Sequence, residues 1–353
     1  MARGNGGRIY FPPLLISSSG MGARSETERW VGALSVVGRP AQPPAVFLPD
    51  ILRRAREERT LAVVARNLGR PCGEERAILA RQLLAAHQAA EIRSRVETIP
   101  LKGLHLAHRL YPSPGLRDMG DLDLLVRRRD LAAAHGALRA LGYWGGGFPP
   151  EASSLNAVEY RREECLPVHL HRHVSNASLP HFMYRIDVEE IWEASRGGEM
   201  APQHLVVTLC EHALKHSFSE LILLTDIELA SRGADAALVA ETARRWGLGR
   251  AVHYARVLLS DLMGAEPAAL ARVPLPPPGW EGRAFLGWAR RRRWNGLSAL
   301  GFLSMARGFR AKARFIGEAL APRSTEGLRT RSVTGRLGRA LGALATWRRP
   351  EPR

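Results

Sequence analysis

The 353 residues suffice for two or three domains or for one core with helical additions, and a hydrophobic content of 45% excludes wholesale disorder. Cys72, Cys165 and Cys210 stand far apart with no C-x-x-C spacing, which excludes a disulfide framework and a cysteine zinc site and fits a reducing cytoplasm. The formal net charge of +17 points toward nucleic acid, but residues 281–353 hold 17 Arg/Lys against 4 Glu, a net of +13, leaving +4 for the first 280.

Residues 1–49 read as a loose leader rich in Gly, Pro and Ser with one short helix, whose start is marked by the capping box Ser25 and Glu28. The early Y-F-P-P-L-L-I run is too short and proline-broken for a signal segment, and no window approaches 18 uninterrupted apolar residues, so no membrane span is predicted. A helical lead-in over 50–96 follows, as two helices near 50–67 and 74–96, the second striped by Ile78, Leu79, Leu83, Leu84 and Ile92. At Thr98 the pattern changes. I-P-L predicts a short strand that turns at Lys102-Gly103 into a helix ending near Tyr111, and Y-P-S-P-G predicts a loop. A strand over 121–126 comes next, then a helix capped by Asp130 and closed by Gly142, then strands over 157–161 and 165–174. This defines a small core over 97–196. Helices are predicted at V-E-E-I-W-E-A-S and over 203–218, 221–231, 235–246 and 250–263, giving a helical domain at 197–272. L-P-P-P-G-W is a linker to a basic amphipathic tail over 273–353. The predicted fold class is α+β: a small mixed sheet with a helical N-terminal lead-in and a helical C-terminal half.

The chemistry concentrates in residues 99–126. On a strand, residues two apart share a face, so Asp121 and Asp123 project together with Leu125, while Leu122, Leu124 and Val126 point the other way. Paired carboxylates repel unless a cation sits between them, and Mg²⁺ shared with substrate phosphates is one solution; a solvated pair at a strand end is the plain alternative. Lys102-Gly103, at a strand-to-helix turn, offers N–H groups and an ammonium to an anion, or is an ordinary turn glycine beside a surface lysine. Arg117 can reach the same phosphates with its fork, or be a solvated loop arginine. Of 51 cationic residues only Lys102, Lys215 and Lys312 are lysines, so a retained lysine marks a position that favours a compact ammonium.

L-K-G, L-Y-P-S-P-G-L-R-D-M-G-D-L-D-L-L-V and L-G-Y, continued by P-V-H-L-H, I-D-V-E-E-I-W-E-A, L-C-E-H-A-L-K-H and L-L-T-D-I-E-L-A, resemble a bacterial family of the polymerase-beta superfamily described as uncharacterised nucleotidyltransferases. The likeness spans roughly residues 75–260. It implies a nucleotidyltransferase core in which Asp121 and Asp123 hold Mg²⁺ or Mn²⁺, Lys102-Gly103 stand where the superfamily has a Gly-Ser loop, and Arg117 faces the phosphates. The implied reaction moves a nucleoside monophosphate from an NTP to an acceptor hydroxyl and releases pyrophosphate. Such families place a third acid on a following strand, in a segment resembling v-E-l-H; here His169 of Val168-His169-Leu170-His171 takes that position. Imidazole is a poor Mg²⁺ ligand but serves Mn²⁺ or Zn²⁺, or acts as a neutral general base. Glu163, Glu164 or Asp187 are alternative sources of the carboxylate.

His169, His171 and His173 share a strand face, the spacing of an H-x-H zinc pair, with no acid or cysteine in sequence to complete it. His212 and His216, with Lys215 between, lie one helical turn apart; the H-x-x-x-H spacing lacks the glutamate of a metalloprotease. They read as a core-facing helix face, or alternatively as a contact for nucleotide or acceptor, with Asp226 as a partner of that face. Arg290 to Arg293, between Trp288 and Trp294, allow contact of the 281–353 tail with RNA or an anionic membrane, against a plain solvated extension. The expected protein is a cytoplasmic, or membrane-peripheral, nucleotidyltransferase acting on an NTP and an unidentified acceptor among sugar, peptide, small molecule and tRNA. Its rivals are a catalytically degenerate binder of nucleotide, RNA or peptide, and a membrane-surface accessory protein of a polysaccharide or peptide-modification pathway.

Overall fold

The computed structural model describes residues 24–70, 72–146, 156–175, 183–274, 278–291, 298–306 and 308–320. Among them the architecture is α+β, with one five-stranded mixed sheet in the order β1-β2-β5-β4-β3, where β1 is Ile99–Pro100, β2 Leu122–Leu125, β3 Trp144–Gly145, β4 Ala157–Arg161 and β5 Val168–His171. β2 and β5 run parallel and the other neighbours antiparallel.

The alternation at 121–126 sorts the two faces of the sheet. Leu122, Leu124 and Val126 enter an apolar cluster with Ala85, Ala89 and Ile92 of α4 (Gly73–Arg93) and with Leu131, Ala134 and Leu138 of α6 (Leu131–Ala140). Leu125 belongs instead to a second, larger cluster built mostly by the helices. β5 is shorter than the predicted 165–174 because Pro167 has no N–H for the ladder and the chain turns at Glu164, whose φ is 55°. Asp130 stands at the N-cap of α6, but its side chain makes no capping bond.

The lead-in is tied to the C-terminal half. α1 (Glu26–Leu34) starts at the predicted box: Ser25 Oγ accepts the Glu28 N–H at 3.2 Å, and Glu28 Oε2 accepts the Ser25 N–H at 3.0 Å. A Cβ on Gly32 would lie 1.8 Å from the Leu262 carbonyl oxygen, so α1 packs directly on the π-helical turn Leu259–Met263 that extends α11 (Gly249–Leu258). The predicted 50–67 helix is two, α2 (Leu48–Glu57) and α3 (Leu61–Asn67), broken at Arg59 with φ 57°. Tertiary bonding accounts for the break. Glu58 caps α9 (Leu221–Arg232) by accepting the Leu221 N–H on Oε2 at 3.0 Å and the Ile222 N–H on its carbonyl at 3.3 Å.

α7 (Val188–Ala194) leads to α8 (Pro202–Lys215), which packs on α9, α10 (Ala236–Arg245) and α11; α12 is a single turn, Ala268–Ala271. Beyond the proline linker the described residues pack onto the helical half. In α13 (Trp280–Ala289) and α14 (Ser298–Met305), Phe285 and Phe302 are fully buried, and Phe302 stacks on Tyr184 with ring centres 5.9 Å apart. α15 (Gly308–Leu320) follows. Of the expected arginine run, Arg290 pairs with Asp261 at 2.7 Å, while residues 292–297, with Trp294, and residues 321–353 lie outside the described residues, as do residues 1–23 of the expected leader. Among the described residues no helix is long and apolar enough to cross a membrane.

Candidate metal and anion site

The site forms where three strands and a turn meet one face of α8. The turn after β1 is tight: Lys102 has φ 45° and ψ −116°, a region that glycine enters freely and a lysine only under strain. It brings Lys102 Nζ to 3.2 Å from Asp123 Oδ2. Gly103 opens α5 (Gly103–Arg109), a helix of only 7 residues; a Cβ there would lie 3.0 Å from Met119 Cβ and 3.3 Å from Arg117 Nη1, so a larger residue requires these side chains to shift by a few tenths of an ångström.

Strand register then assembles a row that the linear spacing does not reveal. Asp123 pairs with His169 across the parallel β2–β5 ladder, and His169 with Glu159 across β5–β4. His169 Nδ1 lies 3.2 Å from Asp121 Oδ2 and 3.4 Å from Asp123 Oδ1, and its Nε2 lies 3.3 Å from Glu159 Oε2. His171 Nε2 stands 2.8 Å from Asp123 Oδ1. Burial works against a charge on Asp123, 8% exposed, yet the Lys102 ammonium and the two imidazoles hold its carboxyl well below the usual range. Hydrogen bonds to Asp121 and Asp123 raise His169 to about 10. His171 goes the other way, because burial outweighs its bond to Asp123.

Asp123, His169 and His171 offer ligand atoms that all lie within 4.8 Å of one another, a group that can hold a divalent metal ion. The acid missing from the H-x-H pair in sequence is therefore Asp123, delivered by the neighbouring strand. Two imidazoles beside carboxylate oxygens match a borderline ion such as Mn²⁺ or Zn²⁺ better than the all-oxygen shell Mg²⁺ prefers. His173 points elsewhere, with Nε2 3.2 Å from the Ile186 carbonyl oxygen. The alternative carboxylates are also elsewhere: Asp187 caps α7, and Glu163 and Glu164 are exposed in the turn before β5. Glu159, which no sequence signal marked, is the third acid that reaches His169.

Arg117 is placed differently from the expected phosphate ligand. Its Nη2 donates to Asp226 Oδ2 at 2.8 Å, its Nε to Asp226 Oδ1 at 3.3 Å, and its Nη1 to the Asp118 carbonyl at 2.7 Å. Tyr111 donates a further bond to Asp226 at 2.7 Å. Burial disfavours the guanidinium charge, but Asp226 more than restores it. Arg117 borders the cleft with its fork committed, and Asp226 is its partner, not that of the His212/His216 face.

The cleft, about 560 Å³, is closed on the far side by His212, Lys215 and His216 of α8 and by Arg59. The histidines thus face the cleft. Their rings meet edge-on, 4.6 Å between centres. Burial and then the Lys102 charge lower both His212 and Lys215, and burial with the neighbouring Lys215 lowers His216 to about 4.

A small mixed sheet thus carries D-x-D on its second strand into a cleft walled by cations, beside three residues that could hold a metal ion. In comparison with known families, residues 48–264 match the family described as uncharacterised nucleotidyltransferase, and the chain belongs to it. No curated protein and no solved structure matches the chain.

Proposed function

We propose that the chain is a metal-dependent nucleotidyltransferase that moves the nucleoside monophosphate of an NTP onto an acceptor hydroxyl. The carrying observation is the cluster of Asp123 with His169, His171 and Lys102 at the base of the cleft. The acceptor oxygen attacks the α-phosphorus, the bond from that phosphorus to the bridging β-oxygen breaks, and pyrophosphate leaves with the electron pair. The acceptor proton passes to the half-exposed Asp121 carboxylate. A divalent ion on Asp123, His169 and His171, with Asp121 beside them, would neutralise triphosphate charge and acidify the acceptor hydroxyl. The donor set favours Mn²⁺ or Zn²⁺ in that role over Mg²⁺. Lys102 fixes Asp123 and adds positive charge beside the phosphates. The three free thiols suit a cytoplasmic setting. The acceptor is a sugar, peptide, small molecule or tRNA.

The test incubates the full chain with Mn²⁺, each α-labelled NTP in turn and a lysate of the source cell. Label transfer to an acceptor with pyrophosphate release is expected from at least one NTP, and transfer undiminished in Asp123→Asn would overturn the reading.

A second reading is favoured by His169, which stands at the position of the expected third carboxylate, 3.2 Å from Asp121 and 3.4 Å from Asp123. Under it the chain binds nucleotide without transferring it. Metal-dependent nucleotide binding with no pyrophosphate release would select it.

A further inference from the structure

We infer that Lys215, flanked by His212 and His216 on α8, is the seat of the NTP polyphosphate; this rests on the nucleotidyltransferase reading and assigns its phosphate contacts to the helical half of the chain.

The cations predicted to hold phosphate are already engaged: Lys102 by Asp123 at 3.2 Å, and Arg117 by a buried fork on Asp226. Lys215 differs. Among the described residues its ammonium has no hydrogen bond or ion pair, and neither imidazole beside it is hydrogen-bonded, although all three side chains line the cleft. The acid one turn back on α8, Glu211, is 2% exposed and accepts the Tyr184 hydroxyl at 2.8 Å; burial raises its carboxyl, and it acts on Lys215 without an ion-pair contact. Burial and the facing Lys102 disfavour the Lys215 ammonium by more than Glu211 and Asp123 restore, and a bound anion offsets that cost. A neutral imidazole has one N–H, so His212 and His216 add two donors one helical turn apart, a spacing of about 5–6 Å that suits oxygens of successive phosphates. Arg59 extends the cationic rim; it is only loosely held, 3.4 Å from Glu220 and 3.9 Å from Asp118. A triphosphate seated on this wall has its α-phosphorus toward Asp121 and Asp123 and its pyrophosphate end toward α8.

The experiment measures binding of inorganic tripolyphosphate to the full chain by calorimetry in the presence of Mn²⁺, with Mn²⁺ binding followed separately by electron paramagnetic resonance. Lys215→Ala is expected to weaken tripolyphosphate by about tenfold to a hundredfold, Lys215→Arg by much less, and the exposed Arg139→Ala not at all, with Mn²⁺ binding unchanged throughout. Each of His212→Gln and His216→Ala is expected to cost a few-fold. Wild-type affinity in Lys215→Ala overturns the proposal, as does a wild-type chain that binds Mn²⁺ but no tripolyphosphate. If Lys215→Ala loses tripolyphosphate while the wild type transfers no label from any NTP, the phosphate seat stands and the transferase reading falls.

Discussion

The two walls of the cleft handle charge in opposite ways. On the sheet side every ionisable group is answered by another: Lys102 and His171 by Asp123, and His169 by Asp121, Asp123 and Glu159. On the α8 side Lys215, His212 and His216 face the same space unanswered. The sheet wall is preorganised internally. On the proposed reading the α8 wall receives the phosphates and the sheet wall the metal ion, so that one metal-bound NTP matches both.

The largest expected effect breaks the sheet wall alone. Asp123→Asn keeps the side chain's shape and removes the charge that Lys102, His169 and His171 all contact, so Mn²⁺ binding measured by paramagnetic resonance should be lost. Label transfer should fall by about 10⁴-fold. EDTA treatment of the wild type should reproduce the loss of transfer, and added Mn²⁺ should restore it. Next comes the buried Arg117–Asp226 pair at the cleft's border. Arg117→Met leaves Asp226 buried without its cation and should cost about 3–5 kcal/mol, read as a fall in thermal midpoint; Arg117→Met with Asp226→Leu should recover part of it. An Arg117→Met chain that melts like the wild type but loses NTP binding would instead make Arg117 a phosphate ligand and erase the contrast between the walls. A smaller effect sharpens the metal side. His169→Glu replaces an imidazole by a carboxylate, and its Mg²⁺ affinity relative to Mn²⁺ should rise by about tenfold.

The legibility of each wall in the sequence follows from the range of the interactions that build it. Strand alternation is a local property, so Leu122, Leu124 and Val126 were assignable to one face and Asp121 and Asp123 to the other. The same is true of the α1 capping box and of the strand over 157–161. The parallel register that sets His169 against Asp123 depends on a connection through α6, β3 and β4, the antiparallel β4–β5 register adds Glu159, and no spacing within 97–196 encodes either. The break at Arg59 depends on Glu58 capping a helix 163 residues away, and Arg59 reaches the cleft only because of that break. Arg117 was visible as a cation near the aspartates. Its partner Asp226 lies 109 residues on and was assigned to the wrong neighbour for the same reason. Lys215 carried one usable signal, the rarity of lysine in an arginine-rich chain, and that signal marked Lys102 equally.

Lys102 itself gives the smallest and cleanest separation of backbone from charge. Lys102→Ala and Lys102→Gly both delete the ammonium and leave Asp123 to its imidazoles, so both should lose transfer to a similar degree. They differ in one respect. At φ 45° alanine keeps the steric cost that lysine bears, whereas glycine is free of it. Lys102→Gly should therefore be the more stable of the two by about 1–2 kcal/mol in denaturant unfolding, at equal activity. Equal stabilities would mean that the turn relaxes once the ammonium is gone, and that the pull of Asp123 on Lys102 holds the backbone in that region. In that case the strained turn is itself part of the charge-matched sheet wall and has no counterpart on α8.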